Sequence, residues 1–190
     1  MDNEFISWCP PQSMMTDLKW WLCTLDNPSF YHELLPWSPC QDMDIFVDAS
    51  TTWGIEIMIA GKWRAFKLHE DWKVEGQDIC WLEMVTVEVL IYLLEAIGIA
   101  NTTLLIHSDN QGTIGSISKG HSHNFHINLS ICQAYVVLAS QFIAPELVYI
   151  SSKNNPVDPI SHRELGSLES QNTISFSLPD KLQHILLDVS

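Results

Sequence analysis

Asp48, Asp109 and Asp158 each stand where one structural element hands over to the next, and Glu83 interrupts an apolar run. Asp48 follows "DIFV", Asp109 follows "LLIHS", Asp158 sits in "NNPVDPISH" and Glu83 in "CWLEMV". Alone, each acid has an ordinary explanation. Asp109-Asn110 is also the turn and capping chemistry of any strand-to-helix junction. Gathered at one edge of a sheet, four carboxylates with no Lys or Arg near them in sequence repel one another strongly. Cations relieve that repulsion, and hard oxygen ligands suit magnesium. Two such ions, roughly 3.5–4 Å apart, form the clamp that activates a water and stabilises the leaving oxygen in phosphodiester hydrolysis.

Convergence depends on the elements. "DIFVDAS" is a short apolar run ending at Asp48. "WGIEIMIA" alternates Trp53, Ile55, Ile57 and Ile59 against Glu56 and Met58, the period of a half-exposed strand. Ala60-Gly61 turns the chain into "KWRAFKL", giving a three-stranded antiparallel meander. Behind an Asp78 cap, Ile79, Leu82, Val85, Val89, Leu93 and Ile97 recur at helical spacing until Gly98. "TTLLIHSD" is a fourth strand, followed by a short helix to Gly120 and a longer one over about 127–143. "ELVYISS" is a fifth strand, and Pro156 behind an Asn155 cap predicts a helix that stops by Gly166. The order β-β-β-α-β-α-α-β-α predicts an α/β fold: a five-stranded mixed sheet, three strands antiparallel and then two parallel, flanked by helices. Parallel strands bring Asp48 and Asp109 to the same carboxyl edge, where open α/β sheets bind ligands, and Asp158 follows the fifth strand to that edge.

Outside this region, residues 1–42 read as an extension punctuated by prolines. Thr16 caps a helix whose Leu18, Trp21, Leu22 and Leu25 form a packing stripe. Residues 167–190 read as a Ser/Asn-rich linker and one weak amphipathic helix, Asp180–Val189. Hydrophobic residues make up 46% of the 190 and charged residues 17%, the profile of a globular chain. No apolar run reaches the roughly 18 residues of a membrane span, and the first residues lack the pattern of a signal peptide. Five widely spaced cysteines without a C-x-x-C pair argue against zinc and a disulfide framework. Reduced thiols point to an intracellular compartment, cytoplasmic or nuclear. The net charge of −14 repels nucleic acid at long range. Composition alone thus favours a protein-binding or small-molecule domain.

Four stretches carry a more specific likeness: "DIFVDASTTWGIEI", "DICWLEM", "IHSDNQGTIGSISKG" and "NNPVDPISH", in that order. Together they resemble the ribonuclease H domain of retroelement reverse transcriptases, most closely the fungal retrotransposon type, over about Asp44–His162. The resemblance implies a ribonuclease H-like fold and a magnesium-dependent endonuclease that cuts the RNA strand of an RNA–DNA hybrid, with Mn2+ able to substitute. It also implies an Asp-Glu-Asp-Asp tetrad, which maps onto Asp48, Glu83, Asp109 and Asp158 as catalytic, metal-holding residues. Residues 43–166 are then the nuclease domain, and residues 1–42, with "DLKWWLCTL", resemble the end of a polymerase connection. The implied partners are hybrid and a polymerase domain or larger polyprotein; no membrane is implied. Candidate substrate contacts are Ser50, Asn110, Gln111 and His162. The amides donate to phosphate and read a 2′-hydroxyl, and His162 shares a helical face with Asp158. The family often carries Arg after "SKG"; here "GHSHNFH" supplies His121, His123 and His126, and no separate hybrid-binding module is visible. The alternative is a non-catalytic structural or protein-binding module of the same fold, which the acidic charge favours.

Overall fold

β-branched and aromatic residues before Asp48 extend the chain into a strand, β1 (Cys40–Ala49), longer than the apolar run alone predicts. The computed structural model describes residues 11–26, 40–73, 75–161 and 166–189. Two compact units form, Met1–Pro36 and Trp37–Ser190. In the first, α1 (Gln12–Leu25) begins behind Pro11, a turn before the expected Thr16 cap, and Thr16 Oγ1 instead donates back to the Gln12 carbonyl. Leu18, Trp21, Leu22 and Leu25 are each more than half exposed. The expected packing stripe is therefore not buried, because the described residues of that unit supply no second layer.

The second unit is an α/β arrangement on a mixed sheet. β2 (Gly54–Ile59) and β3 (Lys62–Leu68) form the hairpin, turning on Ala60 and Gly61 with positive φ. Gly54 is required by close approach: a Cβ there would meet the Phe66 carbonyl oxygen at 2.0 Å. α2 (Ile79–Ala96) follows, its Asp78 cap accepting from the Trp81 N–H at 3.1 Å. Next come β4 (Thr102–Ser108), α3 (Gln111–Lys119), α4 (Phe125–Gln141) and β5 (Ile143–Tyr149). The short α5 (Asp158–Ser161), α6 (Asp180–Gln183) and β6 (Leu186–Asp188) complete the described elements. The sheet order is β5-β4-β1-β2-β3-β6; β1, β4 and β5 run parallel, and β2, β3 and β6 join antiparallel.

Several elements depart from the pattern-based expectation. The sheet has six strands, not five, because the C-terminal helix expected over 180–189 ends at Gln183 and Leu186–Asp188 pairs with the open edge of β3. Ladder hydrogen bonds, burial of Leu186 and the Arg64–Asp188 ion pair outweigh a weak helical pattern. β5 starts at Ile143 rather than Glu146, after Phe142 takes a left-handed conformation that ends α4. Pro145 is tolerated there because β5 is an edge strand. α2 is buried almost all round, with Trp81 to Ile91 inaccessible, since it lies between the sheet and α4.

Both faces of the sheet are covered. Ile45, Val47, Ile55, Ile57 and Ile59 pack under α2 in the main core. The opposite face carries a smaller cluster of Trp53, Trp63, Ala65 and Val157, with Phe46 and Met58 against it. β2 is therefore not half-exposed as its alternation suggests: the polar-looking face is roofed by the chain around Val157 and residues 166–172. Trp63 Nε1 donates to the Ser167 carbonyl at 3.0 Å, and the Asn172 N–H to the Trp63 carbonyl at 2.8 Å. No described helix is long and apolar enough to cross a membrane.

Candidate metal centre

Parallel pairing of β1 with β4 brings Asp48, near the end of one strand, beside Asp109, one residue past the end of the other. Glu83, one turn into α2, reaches the same point from the covering helix. One carboxylate oxygen from each of Asp48, Glu83 and Asp109 lies within 4.8 Å of the others. Asp48 and Glu83 are buried and Asp109 is half-buried. That spacing is close enough for three hard oxygen donors to share one cation.

Asp109 and Glu83 are each held by a hydrogen bond from a neighbouring segment. Asp109 accepts from Ser152 Oγ at 2.5 Å, contributed by the short turn of helix Ser152–Asn154 after β5. Ser108, fully buried, accepts from the Asn110 N–H at 3.1 Å and shapes the turn out of β4. Glu83 accepts a hydrogen bond from the Ala49 backbone, which lowers its pKa, yet the net shift is strongly upward, to about 9. Burial is the largest cause, followed by the charges of Asp48 and Asp109. Its Oε2 has no hydrogen-bond partner. A buried carboxylate with an orphaned oxygen facing two more acids is the donor set of a site built for positive charge, and the residues present fit a divalent cation.

Asp158 opens α5 and is half-buried. It is not one of the three acids whose oxygens converge within 4.8 Å, and it approaches from the β1–β2 side, where α5 packs. Its placement depends on Asn155. That residue is not the cap of a helix beginning at Pro156, since the helix begins at Asp158. Instead buried Asn155 donates from Nδ2 to the Val47 carbonyl at 3.1 Å and accepts from the Val157 N–H. It pins the segment to the residue next to Asp48. Asn155→Ala orphans the Val47 carbonyl in a dry site, so we expect a loss of about 1–3 kcal/mol in urea unfolding. Mn2+ affinity should fall further than stability if the bond places Asp158; unchanged affinity per folded molecule would show that it does not.

The other candidate contacts fall as follows. Ser50 closes the β1–β2 turn, its N–H donating to the Gly54 carbonyl at 2.7 Å while its hydroxyl pairs with Thr52. Asn110 spends its side-chain oxygen on the Thr113 N–H as the α3 cap, which leaves its amide hydrogens outward. Gln111 is exposed at the first position of α3. His162 lies outside the described residues. Of the loop histidines, His126 packs against Trp81 and belongs to α4.

One carboxylate escaped the sequence reading. Glu56 is fully buried, with neither oxygen hydrogen-bonded. Counting the β1–β2 register outward from the turn at residues 50–53 sets it directly across from Asp48, a signal that the assumption of a solvent-facing strand concealed. No family model matches the chain, and a search of curated proteins gives no significant match.

Proposed function

We propose that this chain is a metal-dependent phosphodiester hydrolase. Within that class, the ordered acids and the motifs that carry them favour a ribonuclease H of retroelement type, cutting the RNA strand of an RNA–DNA hybrid. The observation that carries the reading is the convergence of Asp48, Glu83 and Asp109 within 4.8 Å at the carboxyl edge of a mixed sheet.

Asp48, Glu83, Asp109 and Asp158 are the residues to hold the cations. Bound there, a pair of divalent cations supplies positive charge for an attacking water and for the leaving oxygen. The chain contributes the rest. Asp48 and Glu83 lie in a dry recess that strengthens their pull on positive charge. Ser152 fixes the orientation of the Asp109 carboxylate. The free amide of Asn110 and the exposed Gln111 stand beside the acids, placed to donate to a phosphate or a 2′-hydroxyl.

Grip on the substrate is the weak part of this design. Nine Lys and Arg against 23 Asp and Glu neutralise few phosphates, so a polymerase domain or larger polyprotein is the proposed source of affinity. The same charge favours the second reading, a non-catalytic protein-binding module. Its surface observation is the exposed Phe125, Leu129 and Val136 along α4. Incubation with hybrid, duplex DNA, duplex RNA and single strands, with magnesium or EDTA, separates the readings. Magnesium-dependent cutting of the RNA strand of hybrid alone supports the ribonuclease H. Cutting of duplex DNA makes it another nuclease, and no cutting by a chain that binds no cation leaves the binding module.

A further inference from the structure

The sheet order places β2 and β4 on opposite sides of β1, so Asp48 has acids on both flanks. On the β4 flank stand Asp109 and, from above, Glu83. On the β2 flank stands Glu56, the register partner of Asp48. Neighbours directly opposite in an antiparallel pair present their side chains on one face, with Cβ atoms roughly 4.5–5.5 Å apart. Alternation puts both on the face of Phe46, Met58, Ala65 and Val157, the face on which α5 packs and Asp158 begins. Fully buried Glu56 leaves both carboxylate oxygens without a hydrogen-bond partner. A carboxylate in that condition is costly in a dry interior unless something positive meets it.

We propose that Glu56 is a fifth cation ligand, which with Asp48 and Asp158 holds a second cation on the β2 flank while Asp48, Glu83 and Asp109 hold the first. This deepens the metal-centre reading and rests on it. Asp48 is the shared member because it alone lies between the two groups. The electrostatics agree on the shared member: Asp48 is the charge that acts most on both Glu56 and Glu83. After burial, the charges of Asp48, Glu83 and Asp158 act most on Glu56, whereas Asp48 and Asp109 act most on Glu83.

Counting bound Mn2+ by electron paramagnetic resonance, with calorimetry for affinity, tests the assignment on the full chain. Wild type should take up two Mn2+. Glu56→Gln should keep one at wild-type affinity and bind the other at least about tenfold more weakly, the scale of losing a metal-site partner. Asp109→Asn should weaken the opposite site and leave the Glu56 site in place. Circular dichroism in EDTA checks folding, and Glu56→Met, similar in volume but without ligand oxygens, repeats the measurement if the amide variant does not fold. Two Mn2+ bound by both Glu56 variants at unchanged affinity would overturn the assignment and leave the metal centre standing. No Mn2+ bound by wild type would overturn the metal centre itself.

Discussion

Glu83→Gln is expected to stabilise the metal-free protein near pH 7 while abolishing most of its hydrolysis of hybrid. Glu83 is held protonated by burial and by the charges of Asp48 and Asp109, its pKa pushed up to about 9. Folding at neutral pH must therefore capture a proton that the unfolded chain has released, a cost that an amide of the same shape avoids. The gain should be about 1–3 kcal/mol at pH 7 and should vanish near pH 4, where both states are protonated. Catalysis moves the other way. An amide is a poorer cation ligand, and loss of one electrostatic stabiliser costs about 10²-fold or more in rate. Urea unfolding in EDTA beside cleavage of labelled hybrid measures both. A surface glutamate would leave both within small limits, about 0.5 kcal/mol for stability. Unchanged cleavage and magnesium response would remove Glu83 from the site.

The second large effect concerns pH and magnesium together. Glu56 and Glu83 both have folded pKa values above the ordinary 4.5, at about 10 and about 9. An acid shifted upward contributes most below its unfolded pKa and loses that contribution as pH rises through its folded value. In EDTA, stability should thus fall from about pH 4.5 up to about pH 9 for Glu83 and about pH 10 for Glu56, by about 1.4 kcal/mol per group per pH unit at most. Divalent cations need the ionised carboxylates, so they displace those protons, bind more tightly at higher pH and reverse the decline. Thermal melts at pH 5.5 and pH 8, with and without millimolar magnesium, should show the gain from magnesium larger at pH 8. Buried Glu88 is shifted in the same direction, so a Glu56→Gln/Glu83→Gln double variant isolates the site's share by flattening the slope. A melting temperature that ignores both pH and magnesium would contradict this account.

Much of the fold can be read from local pattern, and the exceptions have a common cause. Asp78, Asn110, Gly98 and Gly120 mark helix ends by their own chemistry, so α2 and α3 lie where their caps predict. The alternation of Ile55, Ile57 and Ile59 gives β2 its inward face. What lies on the other face is decided about a hundred residues later, by Asn155, Val157 and the chain past Gly166. No local pattern near Glu56 records that roof. Asn155 misleads for the same reason: Asn-Pro is a helix-start signal, and only the Val47 carbonyl across the fold shows its other use. Leu186–Asp188 is likewise claimed by a strand edge contributed by Lys62–Leu68.

That late claim bears on the order in which the chain can mature on the ribosome. Arg64 is buried in β3, where it donates to the Ile174 carbonyl and pairs with Asp188, and its guanidinium stacks over Phe66 and Phe176. Glu88 is buried in α2 and pairs with Lys181. Synthesis delivers both interior charges about a hundred residues ahead of their partners. A nascent chain carrying every acid of the site through Asp158 still holds a guanidinium and a carboxylate with no counter-ion for their buried positions. The interior ion pairs of this unit are therefore completed only once Lys181 and Asp188 have been synthesised, by a segment that contributes no carboxylate to the Asp48, Glu83 and Asp109 cluster.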